Sequence, residues 1–188
     1  MPESCHGPWG GYHPAMPAIA SFSVIEPLRN GTEVEIRALR PSDRDALVDA
    51  ARRTSDQSLY RRFFGVKREF SDREVAEFVD VDFIQHVALV AVMHTGGHEL
   101  IAAGARYIVV RPGVAEFACT VVDEFQGQGI ASALLRQLVQ LARAAGITEL
   151  IAEVMAENTA MLRVLERSGL RRRMLPEDEV VHVTLQLD

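Results

Sequence analysis

Hydrophobic and polar positions fall into two alternating periods along most of this chain. Residues 34–39 (Val-Glu-Ile-Arg-Ala-Leu) alternate as a half-buried strand does. Arg40-Pro41-Ser42 stops that strand, and Ser42 with Asp45 three residues later predicts a capped helix reaching about Arg53. A second short helix holds Leu59, Tyr60, Phe63 and Phe64, whose rings read as core. Ser71-Asp72-Arg73-Glu74 is a capping box, and it opens a helix with Val75, Ala76, Phe78 and Val79 inward. Three strands without intervening helices come next: residues 87–93, 100–110 and 114–122. Thr95-Gly96-Gly97-His98 and Arg111-Pro112-Gly113 are the turns between them, so the three form an antiparallel meander.

The period then lengthens. Ile130, Leu134, Leu135, Leu138, Leu141, Ala142 and Ala145 recur at three- and four-residue steps, and Gly146 closes that helix. A strand over 149–155, a helix over 158–168 ended by Gly169, and a last alternating strand over 180–187 complete the order. This is an α+β domain with a mixed, mainly antiparallel sheet flanked by helices, and not a repeated βαβ array. Residues 1–21, rich in proline and glycine and without an apolar period, read as a flexible N-terminal extension; residues 22–188 read as a single domain.

Composition narrows the function. In 188 residues, 20 Lys and Arg stand against 26 Asp and Glu, a net charge of −6, so duplex nucleic acid is a poor partner. The longest apolar run, residues 87–93, is far short of the ~20 residues a spanning helix needs, so no membrane is expected. Two cysteines and no basic-apolar leader point to the cytoplasm. Cys5, His6 and His13 match no common zinc spacing, and no metal is expected.

The sharpest chemical signal is Asp123-Glu124-Phe125-Gln126-Gly127-Gln128-Gly129-Ile130-Ala131, between a strand and the most periodic helix. Such a turn leaves backbone N–H groups open at a helix N-terminus, where the helix dipole favours a phosphate or pyrophosphate. The string is one residue short of a dinucleotide fingerprint, with Ser132 at the third glycine and Glu149 twenty residues after Gly129. That reading requires the turn to follow the first strand of a parallel series, and here it follows a meander. A P-loop is excluded because no Gly-Lys-Ser/Thr is present.

Gln126-Gly127-Gln128-Gly129-Ile130-Ala131 resembles the Gln/Arg-x-x-Gly-x-Gly/Ala acyl-CoA motif of the GNAT N-acetyltransferase superfamily. The element order resembles that fold from about residue 34 to 187. Asn158-Thr159-Ala160-Met161 through Ser168-Gly169-Leu170 resembles the family's second motif. Residues 34–47 and 58–64 further resemble bacterial protein-lysine acetyltransferases of the Pat type, which modify acyl-CoA synthetases. The resemblance implies acetyl-CoA as cosubstrate. Backbone N–H groups of Gln126, Gly127, Gln128, Gly129, Ile130 and Ala131 would hold its pyrophosphate. Thr120 and Val122 would offer backbone groups to the pantetheine arm, and Asn158 would touch that arm, cap its own helix, or do both.

Transfer to an amine also needs a base, because a lysine amine with a pKa near ~10.4 arrives protonated. Glu116 is the candidate: it is the one charge in the strand 114–122, on the side of Val114, Ala118 and Thr120. Apolar neighbours would raise its pKa. The family's usual tyrosine, four residues before the closing glycine, is Leu165 here, which leaves the general acid unassigned. Arg52, Arg53, Arg61 and Arg62 read as a solvated basic face, with CoA phosphate or an acidic partner as the other readings. The expected activity is acetyl transfer to a primary amine, a protein lysine first, with an acyl-CoA synthetase as a candidate partner. Small amines and a noncatalytic acyl-CoA-binding module are the alternatives, and the oligomeric state, a homodimer included, stays open.

Overall fold

The computed structural model of the chain describes residues 19–65 and 70–187. Its elements run β1 (Ser23–Pro27), β2 (Glu33–Ala38), α1 (Arg44–Arg52), α2 (Asp56–Phe63) and α3 (Asp72–Val79). The meander follows as β3 (His86–Thr95), β4 (His98–Arg111) and β5 (Val114–Val121). Then come α4 (Ile130–Ala144), β6 (Glu149–Met155), α5 (Thr159–Glu166), β7 (Arg172–Glu177) and β8 (Val180–Gln186). The strands form one eight-stranded sheet in the order β1-β2-β3-β4-β5-β6-β8-β7. Neighbours pair antiparallel except β5 and β6, which run parallel.

Alternation along the central strands sorts the core into two layers. Leu89, Tyr107 and Phe117 pack on one face with Ile130, Leu134 and Leu138 of α4. Leu39, Val90, Ile101 and Val122 face the other way, with Ala50 of α1. α1, α2 and α3 thus cover one face of the sheet, and α4 covers the opposite face. The mixed, mainly antiparallel sheet flanked by helices is the architecture the pattern predicts.

Several local expectations differ. Ser42 caps no helix: Pro41–Asp43 form a 3₁₀ turn, and the Asp43 carboxylate accepts the Arg40 N–H at 2.8 Å. The same carboxylate takes both terminal nitrogens of Arg37 at 2.8 Å, and both side chains are buried. A fork-to-fork pair removed from water is what lets β2 carry an arginine into the core. Phe64, expected in the core, is the left-handed residue ending α2 and is exposed, as is Tyr60; Phe63 is half-buried. Ala76 also faces outward, while Val75 is buried as expected behind its capping box.

β1 and β7 lie at the two sheet edges, where the apolar pattern is too weak to mark a strand. The extension expected over residues 1–21 lies, up to residue 18, outside the described residues. From residue 19 the chain already belongs to the domain, since Ile19 and Phe22 pack against the core.

Candidate active site

β5 and β6 stay together only at Val114↔Glu149, Ala115↔Leu150 and Glu116↔Ile151. Beyond Glu116 they part, while β5 remains paired with β4 through Val121 and β6 with β8 through Met155. The parting opens a gap through the sheet. A cavity of about 300 Å³ lies at its α4 end, lined by Gly127, Gly129, Ser132, Cys119 and Thr120. A second, of about 240 Å³, holds Glu116, Ala118, Glu153 and Leu165. Arg61, Arg62, Cys119, Asn158 and Met161 line both, so the two are halves of one passage.

The glycine turn closes the first half. Gly127 and Gly129 have φ of 76° and 97°, left-handed conformations that an L side chain adopts only with strain. Gly129 stands at the N-cap of α4 with no side-chain cap. Among the described residues, no backbone acceptor takes the N–H groups of residues 127–132. Open donors at the positive end of a fifteen-residue helix form an anion cradle.

The turn is pinned from outside. Gln126 Nε2 donates to Val121 O at 3.1 Å and to Ser58 Oγ at 3.2 Å. Gln128 Nε2 donates to Glu124 O, and its Oε1 accepts from Asn30 at 3.2 Å. The Gln126 and Gln128 side chains therefore hold the turn, leaving the backbone to a ligand. Arg29, Arg163 and Arg167 line the same cavity, and none has an ion pair with a described residue. Sequence spacing missed them because they come from the β1–β2 turn and from α5, far from the motif.

The strand pleat corrects one assignment. The Val122 N–H donates to Ala102 O of β4 at 2.9 Å, and the Val122 carbonyl accepts from Phe125 N at 2.9 Å. Both Val122 backbone groups are thus engaged, and its side chain is buried under α1. Backbone direction alternates along a strand, so Thr120, two residues back and opposite Gly104, also points its backbone at β4. Thr120 offers the cavity its side chain instead. The backbone groups turned toward the gap are those of Cys119 and Val121, which register alone could have revealed.

Glu116 lies on the α2 side of the sheet, at the point where the strands part. It is exposed and makes no ion pair with a described residue, so the apolar enclosure expected around it is absent. Asn158 is the N-cap of α5, its Oδ1 accepting from Met161 N at 3.2 Å, and it lines both halves of the passage. Leu165 is fully buried on the passage wall, so no tyrosine stands there. Tyr107 is buried in the α4-side core, where burial pushes its hydroxyl up to about 12.

Burial likewise pushes the Cys119 thiol up to about 12, against the opposing pull of Arg62. At neutral pH the thiol is protonated and unfit as a nucleophile. Of the arginines read as a solvated face, Arg53 is salt-bridged to Glu124 and Arg61 to Glu157 at 3.0 Å. Arg62 lines the passage, and Arg52 alone is a surface residue, paired with Asp49. No group of three or more His, Cys, Asp or Glu able to hold a metal occurs among the described residues, and no described helix is long and apolar enough to cross a membrane.

A sheet that parts beside an open helix N-terminus and a free carboxylate is the frame of an acyltransferase working on a phosphate-bearing thioester. Comparison with known proteins gives the family. The acetyltransferase (GNAT) domain model matches residues 33–171. The acetyltransferase PA5475 of Pseudomonas aeruginosa is 30% identical over 171 residues, covering 89% of this chain and 92% of that protein. The acetyltransferase Pat of Mycolicibacterium smegmatis is 33% identical over 158 residues, 80% of this chain and 46% of that protein, so the chain spans about half of it. The crystal structure of the GNAT domain of S. lividans PAT superposes with a TM-score of 0.79 at 32% identity, covering 87% of this chain and 96% of that one. The chain belongs to the GNAT acetyltransferase family. It is an acyltransferase, and acetyl-CoA is its acyl donor.

Proposed function

We propose that the chain transfers the acetyl group of acetyl-CoA to the amine of a protein lysine. The observation that carries this reading is the passage itself: one end is an open anion cradle and the other holds Glu116. The cradle of residues 127–131 takes the pyrophosphate on backbone N–H groups, the Gln126 N–H expected there being held instead by Asp123 O at 3.2 Å, and the pantetheine arm runs into the gap along the backbone of Cys119 and Val121. Asn158 and Met161 line its other side. The thioester then lies beside Glu116 and Ala118, where β5 and β6 separate.

The lysine ammonium gives one proton to Glu116, directly or through a water. The neutral nitrogen attacks the thioester carbonyl, whose oxygen is met by the Cys119 N–H facing the gap. The C–N bond forms, the nitrogen gives its second proton to solvent as the C–S bond breaks, and CoA leaves as a thiolate that takes a proton from solvent. The protonated Cys119 thiol supports direct transfer without an acyl-enzyme. Likeness to the two Pat proteins supports a protein acceptor, with an acyl-CoA synthetase as first candidate, in the cytoplasm.

The test is incubation of the purified chain with acetyl-CoA and candidate acceptors, followed by thiol release and acceptor mass. A +42 Da shift on a lysine of a protein acceptor supports the reading. A shift on small amines alone moves the acceptor class, and CoA binding without thiol release from any acceptor leaves a noncatalytic acyl-CoA-binding module.

A further inference from the structure

A third cavity, of about 100 Å³, lies under α1, α2 and α3 on the sheet face that carries Glu116. It adjoins the passage at Ala118, Thr120 and Arg62, so a group on the thioester carbon can extend into it. Its floor is kept low by Ala88, Gly104 and Ala118, since Gly104 sits opposite Thr120 and adds no side chain. An acetyl methyl needs none of this depth, because one water centre requires only ~10–15 Å³. The walls are apolar apart from Thr54, Thr120 and two arginines.

Those arginines are unusual. Arg106 is 8% exposed, stacked 3.4 Å over the Phe78 ring, and donates to Phe78 O at 3.2 Å. Its other terminal nitrogen meets His86 Nε2 at 3.0 Å. Burial, and after it Arg106, lower the His86 pKa, so that ring is neutral and accepts. Burial, and then Arg62, push Arg106 down to about 9, which leaves it cationic at neutral pH. Arg62 lies over the Phe63 ring at 5.0 Å, and burial lowers its pKa as well. Among the described residues, neither guanidinium has a carboxylate in ion-pair contact. Arg37, buried on the same face of the sheet, has Asp43. Arg62 is half-buried and feels the Glu116 carboxylate across the passage, whereas Arg106 is a buried cation with no carboxylate beside it, a costly arrangement unless a ligand supplies one.

We propose that this cavity is a subsite for an acyl group ending in a carboxylate, so that the enzyme accepts dicarboxylic acyl-CoA thioesters such as succinyl-CoA besides acetyl-CoA. The inference rests on the CoA passage proposed above. The acyl methylenes lie on Ala118 and Gly104, and the distal carboxylate sits between Arg62 and Arg106. The transfer is otherwise unchanged: the same C–S bond breaks and the same C–N bond forms.

The experiment is equilibrium titration of the full chain at neutral pH with CoA, acetyl-CoA, butyryl-CoA and succinyl-CoA. Succinyl-CoA is expected to bind at least about tenfold tighter than the equally long, uncharged butyryl-CoA. Arg106→Met should shrink that ratio toward one while leaving CoA affinity nearly unchanged; Arg62→Met, at a residue that also lines the passage, should shrink the ratio whatever it does to the affinity for CoA itself. Should Arg106→Met fail to fold, by its melting curve, the wild-type ratio and Arg62→Met carry the test. Equal or weaker binding of succinyl-CoA, with CoA and acetyl-CoA bound, overturns the subsite alone. Failure to bind any of the four overturns the CoA passage and the subsite with it.

Discussion

Glu116 of β5 and Ile151 of β6 are the last register partners before the two strands part. The charge therefore stands where paired sheet gives way to an open gap, and the glycine turn stands at the far end of the same gap. One strand, β5, thus connects the candidate base with the anion cradle: Glu116 near its start, Cys119 and Val121 facing the gap, and residues 127–131 just after its end.

The cradle assignment is tested at Gly129. A valine there must adopt a φ of 97° and place a β-branched side chain where the pyrophosphate approaches. Strain of this kind costs on the order of 1–2 kcal/mol, so the domain stays folded with a lowered melting temperature. CoA affinity should fall at least about tenfold. A folded Gly129→Val variant that binds CoA as tightly as wild type refutes the cradle.

The Arg37–Asp43 pair gives the fold an acid-sensitive point. Burial raises the Asp43 pKa, but the hydrogen bonds from Arg37 and the Arg40 N–H override it and hold the carboxyl below its ordinary 3.8. A depressed folded pKa means the pair stabilises the domain above the unfolded value, and that contribution is lost as pH falls through the folded one. Asp43→Asn should cost about 3–5 kcal/mol at neutral pH by leaving Arg37 uncompensated. The variant should also lose part of the acid sensitivity. Denaturant unfolding at neutral and acidic pH checks both, and equal destabilisation at every pH argues against the linkage.

Cys119 gives a labelling prediction. With its thiol pushed up to about 12, thiolate is scarce at pH 8, and alkylation should be much slower than in the urea-unfolded chain. Acetyl-CoA should slow it further, since Cys119 lines the passage. Peptide-resolved mass spectrometry separates it from Cys5. Rapid labelling in the folded state would falsify the protonated thiol and reopen an acyl-enzyme route.

How far the sequence carried depended on which signal each element leaves. α4, β6 and the meander were legible because their apolar positions repeat over many residues against one packed face. β1 and β7 were not, since edge strands bury little: β7 carries Arg172, Arg173, Pro176 and Glu177, suited to an unpaired edge and not to a core pattern. At the site, the glycine turn was legible because left-handed backbone at a helix start demands glycine. Glu116 was legible as a lone charge in an apolar strand. The choice between Val122 and Cys119 for the pantetheine arm was not, because a period of two fixes which side chains share a face and leaves open which neighbouring strand each backbone group meets. Arg62 reads in sequence as part of a solvated basic face and nothing in the pattern marks Arg106 within β4; only the structure shows Arg106 buried without a carboxylate and Arg62 lining the same cavity.

The most direct test of the account is the rate of acyl transfer by Glu116→Gln across pH. Glutamine keeps the shape and removes the proton acceptor, so transfer at neutral pH should fall by roughly 10²–10⁴. Acetyl-CoA affinity should hardly change, because the cofactor is held by backbone groups elsewhere. The loss should shrink as pH rises and more of the amine arrives neutral. Near-wild-type transfer at neutral pH, by a variant that binds acetyl-CoA normally, would contradict the assignment of Glu116 as the base.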